Sequence, residues 1–193
     1  MIQLFIYNKP TDKKHLTVRD TRGQILYLIE GSWGRKDDLL TLSTLQGELL
    51  LSAKQNKLSP LPNFDLTAQG EKVGTIRKHP GLFGIRDSFF TVHPQEWMVT
   101  GDFEELYFTI HQDNHLLGEC EKLMTKGSDI FSLQLENEED APLASLLTAL
   151  LDHYSRKHTE ENEFEEFYQA NYRLGFLNNI HFSVSYKNKK RLK

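Results

Sequence analysis

The chain has 193 residues, 38% hydrophobic and 26% charged, with a formal net charge of −4 and a single cysteine. That length suits one domain with a substantial core, or one domain plus an appendage, and argues against two full domains. Five of the last seven residues are basic (Lys187, Lys189, Lys190, Arg191 and Lys193), which leaves residues 1–186 at −9, an acidic body poorly suited to general nucleic-acid binding. The start, MIQLFIYNKPTDKK, has no basic residues before its short apolar run and no small-residue cleavage site, so no signal peptide is expected. The lone Cys120 and the absence of an Asn-x-Ser/Thr sequon fit a reducing, cytoplasmic setting.

Residues 1–7 read as a first strand. Two segments then align at an offset of 24, LTVRDTRGQILYLIE (16–30) over LTLSTLQGELLLSAK (40–54), with Gly23 and Gly47 coinciding. A third copy, NFDLTAQGEKVGTIRK (63–78), puts Gly70 in that place, and a fourth, FTIHQDNHLLGECEK (108–122), puts Asn114 there. Gly and Asn enter positive φ at low cost, as tight hairpin turns require, so each copy predicts strand, turn, strand. Flanking residues agree: Leu16 and Val18 alternate with His15, Thr17 and Arg19, and Leu106, Phe108 and Ile110 with Tyr107, Thr109 and His111. The third and fourth copies share a second glycine, Gly74 and Gly118, four residues past the turn, which predicts a bulge or sharp bend.

Further strands are expected at 87–93, 96–101 and 129–135. The Gly- and Pro-containing stretches EGSWGRKDD (30–38) and KHPGLFGIRD (78–87) read as loops. About a dozen short strands thus precede the first helix, a mainly-β pattern that forms a sandwich or a barrel; closure removes exposed sheet edges.

The segment EDAPLASLLTALLDHYSRK (139–157) changes period. Leu143, Leu146, Leu147, Leu150, Leu151 and Tyr154 form one helical stripe, and the other face carries Ala144, Ser145, Thr148 and Ala149 rather than Lys and Glu. The uncharged run is about half of what a membrane span needs, so the helix is expected inside protein and approachable from every side. Asp140 reads as its N-cap with Pro142 in the first turn, and Arg156 and Lys157 suit the negative end of the dipole.

The hairpins TVRDTRGQILY and TLQGELL, the segment WMVTGDF (97–103), and a final strand leading into an apolar helix together resemble the tubby C-terminal-like superfamily, in its LURP-one-related branch. The resemblance covers roughly residues 1–157. It implies a closed antiparallel barrel of about twelve strands around a central hydrophobic helix at 140–156. Tubby proteins bind phosphoinositides and the related scramblases work at membranes, so the resemblance implies a lipid-facing role. None of their lipid-binding motifs matches this sequence position by position.

Residues 158–193 form an extension beyond the resemblance. EENEFEEFYQANYRLG places Phe164, Phe167, Tyr168 and Tyr172 on one side of an expected helix stopped by Gly175, and IHFSVSY alternates Ile180, Phe182, Val184 and Tyr186 as a strand does. This extension either docks on the barrel or serves, with the basic tail, as an arm contacting a partner or a membrane.

No phosphate-loop, His-Glu-x-x-His, Gly-x-Ser-x-Gly or calcium-loop pattern occurs, so no catalytic residue, metal or cofactor is expected. His111 and His115 flank an expected hairpin turn instead of sharing a helical face. Cys120 aligns with Ile76 and reads as a core residue. Asp102, Glu104 and Glu105 read as a solvated strand end, Trp97 as barrel filling, and Trp33 as a surface aromatic. What remains is basic: Arg35 and Lys36 after Trp33, then Arg77, Lys78, His79 and Arg86. If the two loops share a rim, these make a cationic and aromatic patch for an anionic headgroup. The expectation is a non-enzymatic binding module in the cytoplasm, peripheral at the inner membrane face, whose partner is an anionic phospholipid; the rival is a protein-interaction domain using the extension, and the third alternative is an enzyme.

Overall fold

Strand pairs that alternate apolar and polar residues bury one face and wet the other, and a row of such hairpins has two loose edges until its ends meet. The computed structural model describes residues 1–8, 15–32, 39–56, 61–81, 88–125 and 128–160. Twelve strands run in order: β1 (Ile2–Asn8), β2 (His15–Asp20), β3 (Ile25–Ser32), β4 (Leu39–Thr44), β5 (Leu49–Gln55), β6 (Asn63–Ala68), β7 (Glu71–His79), β8 (Phe89–His93), β9 (Trp97–Asp102), β10 (Tyr107–Gln112), β11 (His115–Thr125) and β12 (Ser128–Leu135). Each pairs antiparallel with its sequence neighbours, and β1 pairs with β12 through Leu4↔Leu133 and Ile6↔Phe131, closing the barrel. The inward residues include Leu16 and Val18 of β2, Leu40 and Leu42 of β4, Phe90 and Val92 of β8, and Phe108 and Ile110 of β10, all buried.

The repeat in the sequence has a structural counterpart in the bulges. In the first hairpin Val18 pairs with Tyr27 and Arg19 with Ile25, so Leu26 is the extra residue. The same count makes Leu50, Val73 and Leu117 the extra residues of the second, third and fourth copies. Each lies three residues past the aligned turn position (Gly23, Gly47, Gly70 and Asn114). A bulge raises local twist and bends the strand, which is what closing a sheet requires. The expected irregularity at Gly74 and Gly118 is therefore real, and it recurs in the two copies that lack a second glycine.

Turn chemistry follows the local residues. In the first hairpin Asp20 Oδ1 accepts from the Arg22 and Gln24 amides at 2.9 and 2.8 Å, and Gly23 takes the left-handed position at φ +79°. In the second, Thr44 Oγ1 accepts from the Glu48 amide at 3.2 Å. The third is a two-residue loop with positive φ at both Gln69 and Gly70. In the fourth, the positive φ falls on Asp113 and not on the expected Asn114; the Gln112↔His115 pairing makes Asp113 the first loop residue. Two expected loops also begin later than the Gly and Pro residues imply, because 30–32 stay in β3 and 78–79 stay in β7.

After β12 a 3-10 turn, Glu138–Asp140, leads into α1, Ala141–Glu160. Asp140, expected as the cap, is the last residue of that turn; its Oδ2 accepts from Asn137 Nδ2 at 3.3 Å, and partial burial pushes its carboxyl up. Between Ala141 and Asp152 every residue except Pro142 is buried, the small face included. These side chains belong to one apolar core with the inward residues of the strands. Thr148 returns its hydroxyl to the Ala144 carbonyl at 2.9 Å, which removes an unpaired donor from that core. Tyr154 meets Phe90 edge-on at 6.1 Å. The chain divides into two units, Met1–Ser155 and Arg156–Lys193, and of the second only 156–160, the last residues of α1, are described.

Two stability predictions follow from this packing. Leu147 is fully buried: Leu147→Ala lowers urea-unfolding stability by about 2–5 kcal/mol, and Leu147→Asp yields no folded protein by circular dichroism, because a buried charge has no partner there. A methyl group on Gly74 would stand 2.1 Å from the His93 carbonyl oxygen, whereas one on Gly23 would meet nothing within 4 Å. Gly74→Ala is therefore expected to cost about 3 kcal/mol or more, against about 1 kcal/mol for Gly23→Ala, whose only penalty is its left-handed backbone; equal losses in thermal denaturation would refute the close approach.

Candidate functional site

A closed antiparallel barrel in sequence order has two unlike ends. The tight hairpins β2–β3, β4–β5, β6–β7, β8–β9 and β10–β11 lie at one, and the connections β1–β2, β3–β4, β5–β6, β7–β8, β9–β10 and β11–β12 lie at the other. The strand ends flanking residues 33–38 and 82–87 are therefore at the same end, separated around the barrel by β5 and β6. Trp33, Arg35, Lys36 and Arg86 lie outside the described residues, as do Lys187, Lys189, Lys190, Arg191, Lys193 and the expected helix and strand of 158–193.

Arg77, Lys78 and His79 are described, and the expectation that His79 and Lys78 open a loop needs correction. All three are on β7, where the two-residue period of a strand sends neighbours to opposite faces. Ile76 is fully buried and faces inward, so Arg77 and His79 face out and Lys78 faces in. Lys78 Nζ sits 5.1 Å over the Tyr154 ring, a cation–π contact with the helix.

The outward pair has neighbours that sequence proximity does not show. β7 and β8 pair as Thr75↔His93, Arg77↔Thr91 and His79↔Phe89. His79 Nε2 lies 2.9 Å from Thr91 Oγ1, and its ring stacks on Phe89 at 4.8 Å and 12°. Arg77 stands directly opposite Thr91 with His93 on the diagonal, within reach of long side chains. Burial first, then the Arg77 guanidinium and His93, push the His79 imidazolium below its ordinary 6.5. Phe89, Thr91 and His93 were not singled out in the sequence. Their outward direction was legible from Phe90 and Val92 between them, but the register that sets them beside Arg77 was not.

Carboxylates are sparse on this wall. Asp65 of β6, diagonal to Arg77, is held by Lys72 at 2.7 Å, and among the described residues no carboxylate is ion-paired with Arg77. The acidic Asp102, Glu104 and Glu105 are at the β9–β10 connection, where Asp102 Oδ1 accepts from both following amides at 3.0 Å. Among the described residues of the expected patch, Arg77 and His79 lie together on the β7–β8 wall.

The remaining candidates take ordinary places. His111 Nε2 is 3.1 Å from Thr109 Oγ1, while His115 pairs with Glu136, so the two histidines engage different partners. Trp97 is buried in β9. Cys120 is fully buried, and burial pushes its thiol up to about 12. Among the described residues no helix is long and apolar enough to cross a membrane.

Comparison with known proteins places this architecture. A family model described as LURP-one-related matches residues 2–152. The chain is similar to the uncharacterised protein YxjI of Bacillus subtilis (strain 168), 24% identical over 155 residues covering 79% of this chain and 93% of the relative. Its fold is similar to the X-ray structure of a protein from Arabidopsis thaliana, with a TM-score of 0.55 and 14% identity over 79% of this chain and 91% of that one.

The buried thiol gives a direct check on the core. Cys120 is expected to resist a disulfide reagent at pH 8 in the native protein and to react at once in denaturant, since the thiolate is the nucleophile; rapid native labelling would place it outside the core.

Proposed function

The chain belongs to the LURP-one-related family, and from that premise we propose that it is a binding module without catalytic function that recognises anionic lipid headgroups at the inner membrane face. The observation that carries this reading is the outward Arg77 on the β7–β8 wall, flanked by His79, Thr91 and His93 and with no carboxylate partner among the described residues. A guanidinium left without an internal counter-ion, beside hydroxyl and imidazole groups, is matched by a phosphate, which it binds in a forked geometry. Trp33, Arg35, Lys36 and Arg86 extend this reading, since the strands that carry their connections end where β7 does. The cytoplasmic setting belongs to the same proposal and draws on the single, buried Cys120. The non-enzymatic part draws on the family, and on a described thiol whose burial holds it in the unreactive form.

Sedimentation with phosphatidylcholine vesicles containing an anionic phospholipid tests the proposal. The full chain and a chain ending at Tyr186 both sediment at low salt and are released as salt rises, and Arg77→Gln weakens binding several-fold without lowering the melting temperature. No binding by either chain would sink the lipid reading and leave the protein-interaction role of residues 158–193 as the reading to pursue.

A further inference from the structure

We infer that the β7–β8 wall is a proton-gated site for a phosphate dianion, in which Arg77 is the fixed charge, His79 is the charge added as the pH falls, and Thr91 and His93 complete the face. The inference rests on the anion-binding reading above and adds its regulation. Its basis is the register: Arg77, His79, Thr91 and His93 share one outer face of two adjacent strands, with Arg77 opposite Thr91 and His79 bonded to that same threonine.

The surroundings decide how such a cluster titrates. From β6 the wall meets uncharged Asn63 and the Asp65–Lys72 pair, and Lys54 of β5 stands opposite Asp65. On β7 itself Lys78 points the other way, to Tyr154. From β9, Met98 pairs with Thr91, and beyond it His111 of β10 pairs with Met98 and is bonded to Thr109. Glu96 is exposed in the β8–β9 hairpin. Asp65 is neutralised by its lysine, and Glu96 is in a turn open to solvent, so nothing described on the wall offers the histidines a dedicated counter-ion. Partial burial first, then the neighbouring Arg77 and His93, lower the His79 pKa, so the empty site favours its neutral form.

A bound dianion reverses that balance. It supplies the missing negative charge, raises the His79 pKa, and draws in a proton. A phosphate monoester gains its own second proton at about pH 6, so the sign is read with a dianion that does not titrate: because binding takes up protons, its affinity rises as the pH falls. It levels off once the pH is below the value of the empty site, which lies under 6.5. The stacked Phe89 ring stabilises the imidazolium form that results. Histidine is the side chain whose charge changes between pH 5 and 8, so the response covers the ordinary intracellular range. The same chemistry comes from a free phosphate monoester or from a lipid headgroup that carries one.

The test uses the full chain. Inorganic sulfate serves as a dianion that does not itself titrate, alongside inorganic phosphate and phosphatidylcholine vesicles containing phosphatidic acid. Imidazole Cε1–H resonances of His79 and His93, assigned with His79→Gln and His93→Gln, are followed from pH 8 to pH 5. Saturating sulfate is expected to raise the His79 pKa by at least about 0.5, and sulfate affinity to rise toward low pH by at most about tenfold per pH unit for each proton taken up. His79→Gln/His93→Gln flattens that dependence while weak binding survives, Arg77→Gln removes binding at every pH, and His111→Gln changes nothing. A pH-independent affinity, an unmoved His79 pKa, or a pH dependence surviving in His79→Gln/His93→Gln would each overturn the inference. Vesicle binding that ignores pH would overturn it while leaving the lipid reading intact. Proton-linked sulfate and phosphate binding without vesicle binding would support the gate and reject the lipid source.

Discussion

A helix without a polar face persists only where apolar groups meet it from every side, and Ala141–Asp152 is such a helix. Large residues on one face and Ala144, Ser145, Thr148 and Ala149 on the other are all buried in the same core as the inward residues of the strands. The strands have the complementary problem. A row of antiparallel hairpins with an apolar inner face and unpaired edges is open to aggregation, and pairing β1 with β12 removes both edges at once. Burial of the helix and closure of the sheet thus draw on one apolar core, to which both sets of side chains belong.

Closure asks for curvature, and the repeated hairpin provides it. Four bulges at the same place in four copies mean that the 24-residue likeness between the first two copies is more than shared turn chemistry. The turns themselves differ, with three-residue loops at Gly23 and Gly47 and two-residue loops at Gly70 and Asp113–Asn114. What persists is the extra residue three positions on. In the third and fourth copies the residue after the extra one is glycine, and a side chain there would collide with the neighbouring strand, at Gly74 with His93 and at Gly118 with Gln134.

Much of this was legible in the sequence because strands and helices advertise their period. Leu16 and Val18, Phe108 and Ile110, and the Leu143 to Tyr154 stripe each identify a face without knowledge of any partner. Register is not legible in that way. Nothing in the residues of 80–88 states which residue of β8 lies against Arg77, because a connection of that length permits several pairings. The same gap explains the misplaced loop start: Pro80 and Gly81 mark a break, but the break sets in after His79, and the strand period, not loop proximity, decides where Arg77, Lys78 and His79 point.

That period also reshapes the functional argument. Three consecutive cationic residues read as one patch, yet a strand divides them. Lys78 turns to the helix through Tyr154, and Arg77 and His79 lie on the outer face. The barrel then restores what the strand removed, by bringing Thr91 and His93 from the next strand to the same face. Since the interior is filled by the core, a ligand must be met on the outer wall or at the ends, and a wall site has no cavity to shield it. An open site binds a charged ligand weakly unless several groups act together. In the proposed site, cooperation between the permanent charge of Arg77 and the titratable His79 therefore makes the strength of this surface a function of pH as well as of its ligand.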